Sequence, residues 1–222
     1  MMVVLRMEMF AARLVQCFWM KAIAKRLLNI LTNQHSIYQK TNRTNWLLGT
    51  AHYRLGDMVN AEKYFREAAV NEPKNAEYLN VWGLSLTGLN RFEESRKVFD
   101  DAIKLSPQLW DAYLNRSCTY RLEKKFDQEI KELDALLTKN PDYLTAYRNI
   151  GVTFVDLKQD QKAIEYWKKG AERDKTGEYE YNIGINYVAR GDIKTATEWY
   201  IKSAKEGNAN AKEILEKNGV KY

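Results

Sequence analysis

Residues 76–109 read AEYLNVWGLSLTGLNRFEESRKVFDDAIKLSPQL: two helix-length, proline-free segments joined at Asn90-Arg91 and closed by Pro107. The first segment carries a glycine, Gly83, in its middle. Glycine there costs a helix about 1 kcal/mol relative to alanine, so its position points to a second helix lying unusually close. Ser95 supplies a small residue on that second helix. Phe99, one turn later, is large enough to fill the gap to the next element. Pro107 ends the second helix, because proline has no backbone N–H to donate.

The same pattern extends in both directions. The chain has three prolines, Pro73, Pro107 and Pro141, at steps of 34 residues. Gly49, Gly83, Ser117 and Gly151 share that step, and Gly184 follows 33 residues later. Phe65, Phe99, Leu133, Trp167 and Tyr200 keep the same register, as do the small residues Ala61, Ser95, Ala163 and Ala196. A fixed period of this length marks an array of supersecondary units that bury their apolar faces only against neighbours. The spacing predicts first helices near 42–55, 76–89, 110–122, 144–157 and 178–190. Second helices are expected near 58–71, 92–105, 126–139, 160–173 and 193–206, with a last helix over about 208–218. Gly56-Asp57, Asn90-Arg91 and Gly191-Asp192 suit the turns, and Asn218-Gly219 is a helix stop.

These residues resemble the tetratricopeptide repeat family, whose pattern is W-x2-L-G-x2-Y, A-x3-F and a terminal proline. The matching residues are Leu48-Gly49, Ala61-x3-Phe65 and Pro73; Trp82-Gly83, Ser95-x3-Phe99 and Pro107; Tyr120, Leu133 and Pro141; Ile150-Gly151 and Ala163-x3-Trp167; and Ile183-Gly184-x2-Tyr187 with Ala196-x3-Tyr200. The resemblance implies an all-α fold, a right-handed superhelix of helical hairpins. Its five repeats would span 42–75, 76–109, 110–143, 144–176 and 177–206, with a capping helix in 207–222. Ser117 and Glu129 replace the expected glycine and alanine, so the third hairpin is expected to pack less closely. Lys175 replaces a proline, and the run 199–208 resembles the related Sel-one-like repeats.

Residues 1–41 form a separate segment, apolar and basic. Six basic groups (Arg6, Arg13, Lys21, Lys25, Arg26, Lys40) and Glu8 give it a net +5 of the chain's +6. The remainder is close to neutral and carries no broad footprint for a phosphate backbone, so no nucleic-acid partner is expected. Residues 2–32 lack Gly and Pro and read as a helix. Their uncharged stretch Leu14–Met20 is far shorter than the roughly 18–20 residues of a membrane span, and Arg13 interrupts the apolar core of a secretory signal. Three readings stay open: a cap on the first repeat, an interfacial membrane helix, or a targeting presequence.

No motif assembles catalytic chemistry. Cys17 and Cys118 have no disulfide or zinc spacing. His35 and His52 accompany no nucleophile, and no phosphate loop, GxGxxG, HExxH or nucleophile elbow occurs. Pairs such as Glu93-Glu94 and Asp100-Asp101 suit solvated helix faces. The chain is therefore expected to be a non-enzymatic scaffold without cofactor or metal, cytoplasmic, or alternatively a membrane-associated or organellar assembly factor or co-chaperone-like subunit tethered through its N-terminal helix. Its protein or peptide partner would lie on the concave face. The register places Arg43, Trp46, Thr50, Tyr53, Asn80, Leu84, Leu114, Asn115, Arg121, Arg148, Asn149, Tyr181, Asn182 and Ile185 there, and Trp, Tyr and Arg dominate binding energies. Asn115, Asn149 and Asn182, each two residues before the small residue of its repeat, form a ladder similar to that by which some tetratricopeptide proteins hold an extended peptide backbone. Chaperone-binding members grip a C-terminal carboxylate with basic residues and Asn. Here Trp46, Thr50, Asp111 and Asn115 occupy those positions, so that clamp is not expected.

Overall fold

A computed structural model describes residues 21–26, 28–30 and 41–222. Residues 21–26 and 28–30 are helical; the rest of the helix expected over 2–32 lies outside the described residues. From Asn42 onward the helices follow in order α1 (Asn42–Leu55), α2 (Met58–Asn71), α3 (Ala76–Gly88), α4 (Phe92–Leu105), α5 (Trp110–Leu122), α6 (Phe126–Lys139), α7 (Leu144–Asp156), α8 (Asp160–Ala171), α9 (Glu178–Ala189) and α10 (Ile193–Lys205), and α1 packs on α2, α3 on α4, α7 on α8 and α9 on α10 as hairpins. A last helix, α11 (Ala209–Lys217), follows. There is no strand among the described residues. The chain divides into two compact units, one ending at Thr119 and the other beginning at Tyr120.

Local chemistry sets the helix ends. Thr41 Oγ1 accepts the N–H of Thr44 at 3.1 Å, and Asp57 Oδ1 accepts that of Asn60 at 3.2 Å. Asn75, Asp192 and Asn208 cap α3, α10 and α11 in the same way. Each such cap satisfies an N–H that the helix itself leaves unpaired. Within each pair the turn has one conformation. Gly56 and Gly191 take φ of 81° and 80°, and Asn90, Lys124 and Lys158 take 59°, 59° and 58°. In every case the next residue's N–H bonds back five residues, as Asp57 N to His52 O (2.9 Å) and Gln159 N to Phe154 O (2.8 Å). A left-handed residue followed by this long closure is the Schellman ending of a helix.

The small residues lie at equivalent crossings. A Cβ added at Gly49 would meet the Phe65 ring at 2.5 Å, one at Gly83 the Phe99 ring at 2.5 Å, and one at Gly184 the Tyr200 ring at 2.6 Å. At Gly151 it would collide with the Trp167 indole. Four hairpins thus use one contact, glycine under aromatic. Ser95 is buried, with its hydroxyl donating to Gly83 O at 2.7 Å and sharing a 2.7 Å bond with Thr87 Oγ1. In the first unit Phe99 is fully buried among Ala69, Leu79, Leu86, Val98, Ala102 and Ala112. In the second unit, Ala196, Tyr200 and Ala204 of α10 pack with Ala211 and Leu215 of α11. At Lys175, where the proline period fails, the Asp174 carboxylate accepts from Thr176 N and Oγ1 and forms the turn instead.

Candidate functional site: the exposed faces of the first helices

On α1, α3, α7 and α9 the glycine faces the second helix, and the residue two positions after the glycine, or after Ser117 on α5, is buried. Ser85, Thr119, Thr153 and Asn186 hold that position, all buried, and three tie to the preceding second helix. Arg96 Nη1 donates to Thr119 Oγ1 at 3.2 Å, Thr153 Oγ1 to Glu129 Oε2 at 3.0 Å, and Asn186 Nδ2 to Asp160 Oδ1 at 3.1 Å. The opposite face is left to solvent. On α7 it comprises Thr145, Asn149, Val152 and Asp156, and on α9 Glu178, Asn182, Ile185 and Ala189, at the i, i+4, i+7, i+11 spacing of a single helix face.

The two helices are neighbours: Arg148 of α7 donates to Glu178 Oε1 of α9 at 2.8 Å, and the Tyr179 hydroxyl donates to Leu144 O. Val152 is 39% exposed and Ile185 43%. The Asn149 and Asn182 side chains are partly exposed, and their carboxamides have no hydrogen-bond partner within the described residues. Both charges on the strip are compensated. Glu178 has Arg148, and Asp156 Oδ2 accepts from Arg121 Nη2 at 2.5 Å.

The residues expected on the inner face therefore divide. Arg121 is engaged internally, bonding Thr153 and Asp156 and lying 3.4 Å from Glu129 Oε1. Glu129, which replaces the expected alanine, is 1% exposed. Burial pushes its carboxyl above the ordinary glutamate range, while Arg121 and the Thr153 and Arg121 hydrogen bonds oppose that shift. Arg148 is bonded to Glu178, and its backbone carbonyl accepts from Trp167 Nε1 at 3.3 Å. Asn80 is buried and its Oδ1 accepts from Asn115 Nδ2 at 3.0 Å, so the ladder's first asparagine is already occupied. Arg43 and Tyr53 are exposed; Trp46, Thr50, Leu84, Leu114 and Tyr181 are partly buried. Burial, then the Cys118 thiol, raises the Tyr53 phenol, and burial, then Glu213, raises that of Tyr181.

Thr145, Val152, Asp156, Glu178 and Ala189 are strip residues absent from the expected inner face. The signal for Val152 was available: it follows Asn149 by three residues and precedes Ile185 by 33. The last hairpins hold a second polar cluster. Glu180 is 0% exposed, with Lys202 Nζ 2.9 Å from its Oε1. Glu206 Oε2 is buried without a hydrogen-bond partner among the described residues. Among those residues no group of three His, Cys, Asp or Glu side chains is placed to hold a metal ion, and no helix is long and apolar enough to cross a membrane.

The comparison with known proteins agrees with this architecture. A family model of the tetratricopeptide repeat matches residues 22–78 and 80–143, beginning inside the segment read as an N-terminal appendage. Hsp70-Hsp90 organizing protein 1 of Glycine max is 24% identical over 147 residues, 63% of this chain and 26% of that protein. BBSome complex member BBS4 of Bos taurus is 30% identical over 166 residues, 73% of this chain and 32% of that protein. The chain thus spans about a quarter to a third of the length of these relatives. MamA (41-end) from Desulfovibrio magneticus RS-1 superposes with a TM-score of 0.56 at 24% identity, over 76% of this chain and 96% of that one, a likeness of fold alone. With glycine–aromatic crossings at a 33–34-residue period and a family match over more than half its length, the chain belongs to the tetratricopeptide repeat family.

Proposed function

We propose that this protein is a non-enzymatic scaffold that binds an extended segment of another protein along the exposed faces of the first helices of its second unit. One observation carries the reading: in the second unit, Asn149 and Asn182 present unengaged carboxamides beside the exposed apolar side chains of Val152 and Ile185. A carboxamide offers both a donor and an acceptor to a peptide group, and a neighbouring apolar surface gives the partner's side chains somewhere to go. In the first unit Arg43, Trp46 and Tyr53 of α1 and Leu84 of α3 take the corresponding part in this reading, while Asn115 is engaged by Asn80. The relatives include proteins whose names describe an organizer of Hsp70 and Hsp90 and a member of the BBSome complex, and assembly with other proteins is the activity we carry over. The 33-residue step between Gly151 and Gly184 and the run 199–208 give the C-terminal hairpins their Sel-one-like character in this reading, and the compartment is the cytoplasm. The alternative tether through residues 2–32 rests on residues mostly outside those described.

Affinity purification with mass spectrometry, comparing wild type with the Asn149→Ala/Asn182→Ala variant, tests the proposal. Both positions are surface amides, so the variant is expected to fold normally. Selective loss of one or more partners supports the groove, and equal recovery of every partner removes it.

A further inference from the structure

α1 is the first of the paired helices, yet the side of it that should face a preceding helix is covered. Ala51, two residues after Gly49, is 4% exposed. Its counterparts Thr119, Thr153 and Asn186 each bond to the second helix before them, so the repeat requires a helix ahead of α1 at the same place. Residues 21–26 and 28–30 are helical and stand in the right register. One period of 34 before Met58, the first residue of α2, is Ala24, and one period before Glu62 is Leu28.

On the second helices these two positions turn toward the first helix that follows. A Cβ added at Gly88 of α3 would meet Met58 Sδ at 2.7 Å, and Asp160, which holds the Met58 position on α8, accepts from Asn186 of α9 at 3.1 Å. Glu62 accepts from Trp82 Nε1 of α3 at 3.1 Å, and Arg96, which holds the Glu62 position on α4, donates to Thr119 of α5. The N-terminal helix has the matching faces. Ala24 is 1% exposed and Leu28 is partly buried, whereas Lys25 and Asn29 are exposed, as Val59 and Lys63 are at the same places on α2. The tetratricopeptide repeat model, which matches from residue 22, takes in this helix as well.

We infer that the helix of residues 21–26 and 28–30 is the second helix of a further hairpin, and that the Ala51 side of α1 is its docking surface. Ala24 and Leu28 form the contacting face, at the i, i+4 spacing of one helix side. A helix lies in a membrane surface by burying its apolar face there, and the same face cannot be buried on α1 and in lipid at once. This helix therefore belongs to the array, and it presents to other molecules the outer face that carries Lys25 and Arg26.

Disulfide cross-linking tests the contact, because two cysteines bridge only where their Cβ atoms come within about 4.5 Å. In the full chain carrying Cys17→Ser and Cys118→Ser, the pair Ala24→Cys/Ala51→Cys is expected to oxidise roughly tenfold faster than Lys25→Cys/Ala51→Cys, whose first cysteine points outward. Hydrogen exchange on single variants gives a second measurement. Ala24→Glu should speed exchange in α1 and leave α9 to α11 at wild-type protection, and Lys25→Glu should change neither. Equal oxidation of the two cysteine pairs, or protection of α1 untouched by Ala24→Glu, would overturn the inference. So would flotation of the full chain with vesicles of phosphatidylserine and phosphatidylcholine that Ala24→Glu abolishes, since that result puts the apolar face of this helix in lipid.

Discussion

A methyl group at Gly83 would meet the Phe99 ring at 2.5 Å, and that ring is fully buried. It cannot swing away without disturbing Ala69, Val98 and Ala102 around it. Gly83→Ala is therefore expected to destabilise the first unit by about 1–3 kcal/mol, the usual cost of overpacking a well-filled core, despite alanine's better helix propensity. Chemical denaturation of the variant measures this, and an unchanged midpoint would show that the crossing is looser than it looks. Lys158 presents the opposite case. It occupies the left-handed turn position that Gly56 and Gly191 fill elsewhere, at φ 58°, where a Cβ is unfavourable. Lys158→Gly is expected to raise stability by up to about 1 kcal/mol, the balance of relieved strain and added chain freedom. The period of 34 includes this position in every hairpin, yet the residues filling it (Gly, Asn, Lys, Lys, Gly) share no side-chain chemistry. That is why the recurrence was invisible at Lys124 and Lys158.

Between helices, buried polar residues fix which pairs meet. Glu180 of α9 is covered by Lys202 of α10, and Glu206 at the end of α10 lies in the same field. Burial, then the Glu180 charge, pushes the Glu206 carboxyl above the ordinary glutamate value, against the pull of Lys202 and Lys175. A carboxyl raised in the folded state contributes stability that is complete below its unfolded value, roughly pH 4, and is lost as pH rises through the folded value. Glu206→Gln is thus expected to melt higher than wild type at pH 7, with the difference closing as the pH approaches about 4. Paired thermal melts across that window decide it, and a gap that grows on acidification would contradict the assignment. Glu129 was legible as a departure from the expected alanine. The expectation of looser packing did not foresee that Thr153 and Arg121 bond the carboxylate, because those partners come from neighbouring helices at sequence separations that no motif specifies.

Among the described residues the closely packed helix pairs are neighbours in sequence, so a local defect should remain local. Gly184→Leu forces a branched side chain against Tyr200. Hydrogen exchange followed by mass spectrometry should then show faster exchange in α9, α10 and α11 while α1 to α3 keep wild-type protection. Uniform loss of protection along the chain would mean that the two compact units unfold as one.

The sequence by itself determined the helical hairpins, their period, and the positions of the crossings, because a glycine, a small residue and an aromatic recurring at 33–34 residues leave few other ways to bury the apolar surface. On the exposed faces of α7 and α9 it pointed to Asn149, Asn182 and Ile185. Only the tertiary structure decided which first-helix side chains are unengaged. Arg121 and Arg148 are spent on Glu129, Asp156 and Glu178, Asn115 is spent on Asn80, and Asn149, Val152, Asn182 and Ile185 remain. The physical reason is that periodicity fixes a residue's direction on its own helix, whereas its hydrogen-bond partner stands on another helix some 30 residues away, where the repeat varies.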